Sequence, residues 1–531
     1  MSISEQADRR RTFAIISHPD AGKTTLTENL LLAGGAIRMA GEVAARGERR
    51  RTTSDWMKIE RDRGISVSAA VMTFEYRGNV YNLLDTPGHE DFSEDTYRTL
   101  TAADCAIMVL DAAKGIEPQT LKLFEVCRLR DIPIVTFINK MDREALDPLE
   151  LLDQIQDQLQ LDCAPLFWPA ASGQRFGGMT DLRTGDFLHY SKKTADEGLT
   201  PGESPRVELD SVRDEVDPSA LEELEEGSEM AREMLPEIDK QAFLEGHMTP
   251  VVFGTALRHF GVGELLNVLE EFAPAPRPQA CEKKDQPHVL ARGDKGVAGF
   301  VFKIQANMDP NHRDRVAFFR ICSGEFKRGM RLKINDGKQI NVHNPMMFLA
   351  QDREIAETAY AGDVIGIPNH GQLRVGDSLS ESGDIKFAGI PNFAPEILRR
   401  ARTTDPMKAK HLRKALESLA EEGVTQLFKP SIGSDMIVGA VGALQIEVMA
   451  ERMVNEYGLD VLFEPAPYNV ARWIHCDDAS VLGAFLDKNK SASVTDLDEA
   501  PVYLAKNAWD VGYAQEKNPE IRFTATKERS N

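Results

Sequence analysis

Residues 14–32 read AIISHPDAGKTTLTENLLL. An apolar run of strand character passes into a short polar loop and then into a helical pattern, and Gly22, Lys23 and Thr24 close the loop. This is the layout of a phosphate-binding loop, in which consecutive backbone N–H groups line a concavity at a helix N-terminus where the helix dipole favours negative charge. Lysine reaches the β- and γ-phosphates and the following hydroxyl binds Mg²⁺. The usual pattern begins with glycine, and here Ser17 stands in its place. Close approach matters most at Gly22, beside the phosphates. Position 17 lies at the strand exit and tolerates a small side chain if its φ stays negative. The loop Ser17, His18, Pro19, Asp20, Ala21, Gly22, Lys23, Thr24 and Thr25 is therefore expected to bind a nucleotide.

Three further stretches turn a lone triplet into a constellation. LLDTPGHEDF (residues 83–92) puts Asp85 at the end of a strand, where it can hold the water shell of Mg²⁺, and Gly88 where a backbone N–H can meet a γ-phosphate. Thr86, Pro87 and His89 complete that segment. FINKMD (137–142) ends another apolar strand. A carboxylate such as Asp142 can accept from two adjacent N–H groups on guanine, a pair that adenine lacks, with Asn139, Lys140 and Met141 around the base. FGTAL (253–257) ends a third strand, where Thr255 and Ala256 could present backbone N–H groups to the guanine carbonyl, with Gly254 beside them in the same nucleotide site. All four fall in order at one edge of one sheet, where α/β folds bind ligands. GTP or GDP with Mg²⁺ is the expected ligand.

The 531 residues allow several domains, and 42% hydrophobic with 28% charged residues describes ordinary globular material. The opening MSISEQADRRRTFAII lacks a long apolar run, and no later segment reaches bilayer length. A cytoplasmic protein without membrane contact is expected. Cys105, Cys127, Cys163, Cys281, Cys322 and Cys476 are scattered, with no metal-site spacing, and read as small buried hydrophobes in a reducing compartment. Acidic residues outnumber basic ones by 84 to 63, a formal charge of −21. That balance argues against wrapping nucleic acid, although local basic patches can survive inside it.

Apolar runs at 12–16, 65–76, 80–85, 105–111, 132–139 and 249–255 alternate with helical patterns, which predicts an α/β sheet, with a hairpin turned at Arg77, Gly78 and Asn79. Between the fifth and sixth runs lie roughly a hundred residues, too many for one crossover. They include a hairpin pattern with its turn at Arg183 to Gly185, and an acidic stretch expected to form one or two surface helices. Short strands with Gly and Asn/Asp turns then predict a small β-barrel. A mixed pattern follows, suggesting an α+β sheet with helices on one face. The expected architecture is an α/β P-loop GTPase domain over 1–278 with an insert at about 165–247, a β-barrel domain over 279–390, and an α+β, ferredoxin-like domain over 391–531. No internal repeat is legible, and the final LAKNAWDVGYAQEKNPEIRFTATKERSN reads only as a short element with a polar end.

SHPDAGKTT, RDRGISVSAA, DTPGHEDF and NKMD, in that order and followed by the barrel pattern, resemble the translational GTPases. FGTALRHFGVGELL, FRICSGEFKRGMRL and the segment from AEEGVTQLFKP to GALQIEVMAERM extend the likeness to the bacterial class II termination factors within that family. The resemblance implies several roles. Ser66, where many members carry threonine, would close on Mg²⁺ beside Thr24 and Asp85. His89 would be the catalytic histidine that orients the attacking water once the ribosome orders it. The segment 46–66 would be a nucleotide-sensitive switch; its run Arg49 to Arg51 reads equally as a contact to ribosomal RNA and as a solvated loop. The implied activity is GTP hydrolysis during termination, driving class I release factors off the ribosome after peptide release; the partners would be ribosomal RNA and proteins, and the protein a monomer. A shortened translocation or ribosome-protection GTPase related to elongation factor G is the alternative. Arg399, Arg400, Arg402, Lys408, Lys410, Arg413 and Lys414 are expected to face RNA or ribosomal protein.

Overall fold

The structure is a computed structural model that describes residues 1–37, 66–190, 206–306, 315–335, 337–349, 353–388 and 390–528. Most of the expected switch, with Arg49 to Arg51, lies outside the described residues. The first sheet is built from strands β1 (Arg10–Ser17), β2 (Ala70–Tyr76), β3 (Asn79–Asp85), β4 (Cys105–Asp111), β5 (Ile134–Asn139), β6 (Asp162–Pro165) and β7 (Met248–Phe253). Its order is β2-β3-β1-β4-β5-β7-β6. All neighbours run parallel except β2 and β3. Their hairpin turns through Arg77 and Gly78, at φ 47° and 82°, the left-handed pair that matches strand twist in a two-residue turn. Asn79 belongs to β3 rather than to the turn. Strands β4 and β5 are buried along their whole length, which is what their unbroken apolar runs require. The sheet is covered by helices that include α1 (Lys23–Ala33), α2 (Ser93–Leu100), α3 (Pro118–Leu129) and α4 (Pro148–Leu159).

Strand β6 was not legible in the sequence: four residues, DCAP, give no alternation and end in proline. Beyond it, strands at 167–169, 178–181, 187–189 and 206–207 form a separate four-stranded antiparallel sheet. The acidic stretch forms the long helix α5 (Pro218–Met234) and a short one at Lys240–Leu244. Asp217 caps α5 by accepting from the Ser219 and Ala220 N–H groups, and Pro218 opens it. Its apolar side, with Ala220, Leu221, Leu224 and Ala231, is buried.

The second unit centres on β8 (Ala298–Ala306) and β9 (Arg315–Ser323) in an eight-stranded antiparallel sheet. It meets the first sheet through buried polar groups. Arg320 pairs with Asp104, and the two are 3% and 1% exposed; it also donates to Thr12 Oγ1 (2.5 Å) and Gly362 O. Lys303 donates to Ser68 Oγ at 2.6 Å and to Ala69 O, just beyond Ser66.

The third unit departs most from expectation. Strands β10 (Ile397–Thr403), β11 (Gln426–Pro430), β12 (Met436–Ala440) and β13 (Val461–Pro465) alternate with α7 (Ala409–Glu421) and α8 (Ala443–Tyr457), α6 (Val262–Phe272) having closed the first unit. Strands β14 (Val470–His475), β15 (Ser493–Thr495), β16 (Pro501–Ala505) and β17 (Arg522–Thr524), with α9 (Ala479–Lys488) and α10 (Ala508–Lys517), repeat the same βαββαβ order. The combined sheet runs β13-β10-β12-β11-β15-β16-β14-β17: two ferredoxin-like halves joined at their equivalent second strands. Leu398, Phe428 and Ile437 of one half and Ala471, Trp473 and Val502 of the other share one apolar cluster, while α7 and α8 pack on a different one. The repeat is one of topology without sequence likeness, and the tail that reads as a short element with a polar end supplies the last helix and strand of its second half. Residues 391–393 pair antiparallel with 526–528 and tie its two ends together.

Among the proposed ribosome-facing residues, Arg402 is engaged by Asp435 (2.6 Å) and Glu464 (3.1 Å) on its own sheet, and Arg413 by Glu417 at 3.1 Å. Lys410 and Lys414 are exposed on α7. Five of the six cysteines are buried, and burial pushes the thiols of Cys105, Cys127 and Cys322 up to about 12. A thiol reagent is therefore expected to label only Cys476 in the native protein and all six cysteines after unfolding, as counted by intact mass; two or more labels on native protein would contradict this burial. No helix among the described residues is long and apolar enough to cross a membrane.

Candidate nucleotide site

The C-terminal ends of β1, β3, β5 and β7 open on one cleft of about 400 Å³, a volume in the range of small-ligand sites. Strand β1 ends at Ser17, the loop curls through Asp20 (φ 66°) and Gly22 (φ 96°), and α1 starts at Lys23. The first turn of α1 lines the cleft at Lys23, Thr24 and Thr25, so the N–H groups that helical geometry leaves without acceptors are presented there. Ser17 is buried, keeps a negative φ, and its hydroxyl donates to His18 O at 2.9 Å. A Cβ at Gly22, by contrast, would collide with the Asn139 side-chain amide.

That collision exposes how the loops are stitched together. Asn139 Nδ2 donates to Ala21 O (2.8 Å), and Asn139 Oδ1 accepts the Ala256 N–H (2.8 Å). Lys140 Nζ donates to Asp20 O (2.5 Å) and to Asp111 Oδ2 (2.7 Å). Burial works to raise the Asp111 pKa, and hydrogen bonds from Lys140 and the Ala113 N–H outweigh it and hold the carboxylate below its ordinary value. Asn139 therefore braces the phosphate loop against the turn after β7 while it lines the cleft. Asp142 Oδ1 accepts from Thr255 Oγ1 at 2.7 Å, which orients the carboxylate at the edge of the cleft. Met141 is buried, with its N–H on Gly254 O at 3.2 Å.

One expectation is corrected here. The N–H groups of Gly254, Thr255 and Ala256 are all engaged within the protein, on Ile138 O (2.9 Å), Phe260 O (3.0 Å) and Asn139 Oδ1. The residue of that turn that lines the cleft is Leu257, and Arg143 lines it as well. Neither was singled out from the sequence; Leu257 closes the FGTAL stretch and Arg143 directly follows FINKMD, which is the signal that was available. Asn29, which donates to Ala256 O at 2.5 Å, and Asp111 are further bracing residues without a sequence signature.

At the phosphate end, Lys23 and Asp85 form a buried ion pair, and Asp85 itself does not line the cleft. Thr86 Oγ1 donates to Ile15 O (2.6 Å) and Pro87 O accepts from Thr96 Oγ1 (3.1 Å), pinning the turn that presents Gly88 and His89 to the cleft. Ser66 also lines it. His89 Nδ1 accepts the Asp91 N–H at 3.2 Å, so a neutral imidazole carries its proton on Nε2 and is a donor there.

His18 is buried with Nε2 2.6 Å from Glu117 Oε2. Burial lowers its pKa from 6.5, against the pull of Glu117. Below pH 6.5 the unfolded chain then takes up the proton first, so stability is constant above that pH and falls as the pH drops toward the folded-state value. His18→Asn is expected to flatten the acid limb of the melting-temperature profile between pH 6.5 and 5; an unchanged limb would mean that His18 titrates normally.

Residues 8–275, half of the chain, match the family described as elongation factor Tu GTP binding domain. The chain is a translational GTPase. Residues 296–382 of this GTPase match elongation factor G domain 2, and residues 387–515 match the class II release factor RF3 C-terminal domain. A crystal structure of a protein from Thermus thermophilus superposes with a TM-score of 0.68 at 26% identity, covering 88% of this chain and 71% of that one. As a translational GTPase of the class II release-factor type, the protein hydrolyses GTP.

Proposed function

We propose that this GTPase acts in termination of protein synthesis, using ribosome-stimulated GTP hydrolysis to drive class I release factors off the ribosome after the peptide has left. The observation that carries this reading is the match of residues 387–515 to the class II release factor C-terminal domain. In the proposal it works in the cytoplasm as a monomer.

The roles at the cleft belong to the same proposal. Lys23 and the first-turn N–H groups of α1 neutralise the β- and γ-phosphates, the Gly88 N–H meets the γ-phosphate, and Asp142 reads guanine. As a neutral imidazole His89 presents its N–H at Nε2, and in this reading it orients the attacking water by donation from there. The donor set fits a hard divalent cation: Thr24 and Ser66 offer hydroxyls at the cleft and Asp85 one nearby carboxylate, and no cluster of three or more His, Cys, Asp or Glu is present among the described residues. Few protein ligands suit Mg²⁺, which keeps several waters. Thr24 and Ser66 would hold it directly and Asp85 through water, and when bound it would supply charge neutralisation at the phosphates.

His89→Ala is expected to lower ribosome-stimulated turnover about a hundredfold with GTP affinity unchanged; normal turnover would remove His89 from the chemistry. The test of the function loads post-release ribosomes with a labelled class I factor and follows its dissociation with this protein and GTP. Faster dissociation than without the protein is expected, and an unchanged rate would sink the termination reading.

A further inference from the structure

The segment that carries His89 is held from outside the GTP-binding unit. Asp91 gives its N–H to His89 Nδ1 (3.2 Å), and its Oδ2 accepts the Leu444 N–H at 2.7 Å. Leu444 lies in the first turn of α8, whose own N-cap is Gly442, with no side chain to cap with. Asp91 fills that role from the far side of a domain boundary. The fit is close, because a Cβ at Gly442 would coincide with the Asp91 carboxylate. Gly442 has an extended backbone at φ −141°, so its conformation makes no demand for glycine; the contact does.

One residue on, Phe92 is buried with Val67 and Val448, and Leu444 packs against them. Val67 follows Ser66. The start of α8 thus packs with the residue after Ser66 and with the chain just after His89, and Ser66 and His89 both line the cleft. A carboxylate at a helix N-terminus is favoured by the unpaired N–H groups and by the dipole, which gives the contact a fixed geometry. Fixing Asp91 fixes its N–H, and that N–H sets the ring orientation of His89 and the position of its proton.

Resting on the reading of His89 as the group that orients water, we propose that Asp91 is a positioning residue for His89, clamped on the N-terminus of α8, so that the placement of the C-terminal unit sets the rate of GTP hydrolysis. Release of the clamp would leave nucleotide bound but the histidine misaimed. Closure of it would couple the seating of the third unit on its target to the chemical step.

The full-length protein with Asp91→Ala, Asp91→Asn, Gly442→Ala and His89→Ala is compared in ribosome-stimulated turnover, nucleotide affinity and thermal melting. Asp91→Ala and Gly442→Ala are expected to lower kcat by about tenfold or more, with KM for GTP and nucleotide affinity within about twofold of the parent. Asp91→Asn, whose amide oxygen still accepts from the Leu444 N–H, is expected to retain most of kcat. Unchanged kcat in Asp91→Ala and Gly442→Ala, or a kcat loss matched by equal loss of affinity and melting temperature, overturns the proposal, as does Asp91→Asn behaving like Asp91→Ala. If His89→Ala alone is slow, only this inference falls; if His89→Ala turns over normally, the reading of His89 falls first.

Discussion

Gly22→Val is expected to abolish guanine-nucleotide binding, with affinity lowered at least about a thousandfold. Gly22 sits at φ 96° and any Cβ there meets the Asn139 amide. A β-branched residue at such a φ costs about 1–3 kcal/mol. The displaced Asn139 gives up its hydrogen bonds to Ala21 O and from the Ala256 N–H, each worth about 1 kcal/mol net. The sum of about 4 kcal/mol corresponds to three decades of affinity, and it falls on the loop that shapes the phosphate concavity. Ser17→Gly removes one hydroxyl bond to a neighbouring carbonyl at negative φ, and is expected to change affinity less than about tenfold. Titration with a fluorescent guanine nucleotide measures both; equal losses would show that the leading position, not Gly22, shapes the loop.

Arg320→Ala is expected to loosen the joint between the first two units. Arg320 and Asp104 are 3% and 1% exposed, and removing one partner of a buried pair costs about 3–5 kcal/mol because the other charge is left uncompensated. The substitution also strips donors from Thr12 Oγ1 and Gly362 O. The double variant Arg320→Ala/Asp104→Ala is expected to be more stable than Arg320→Ala alone. Chemical denaturation compares them, with proteolysis between residues 273 and 298 reporting separation of the units. A single variant as stable as the parent would show that the pair does not hold the joint.

The strands of the first sheet were legible because burial on both faces demands the unbroken apolar runs seen at 105–111 and 132–139. Chemistry was legible where a motif combines backbone and side-chain demands, as in the Gly-Lys-Thr triplet. Bracing was not: Asn29 and Asp111 act through partners far along the chain, and nothing local marks them. Asn139 shows the intermediate case, a recognisable motif residue whose amide also bonds Ala21 and Ala256, a bracing role that nothing local announces. Strand β6 was too short to show a period. The second ferredoxin-like half stayed hidden because its strands are three to six residues long and share no sequence with the first half.

The ladder between residues 391–393 and 526–528 has a temporal side. Phe393, in that ladder, packs on Tyr97 of α2 with ring centroids 5.3 Å apart, and its carbonyl accepts from Gln426. At synthesis rates of about 5–20 residues per second, the partner strand emerges about 7–27 s after Phe393. Through that interval residues 391–393 lack the strand that pairs with them in the finished protein. The seam closes last, so the two ends of the third unit are joined only after every residue of the nucleotide cleft has been made.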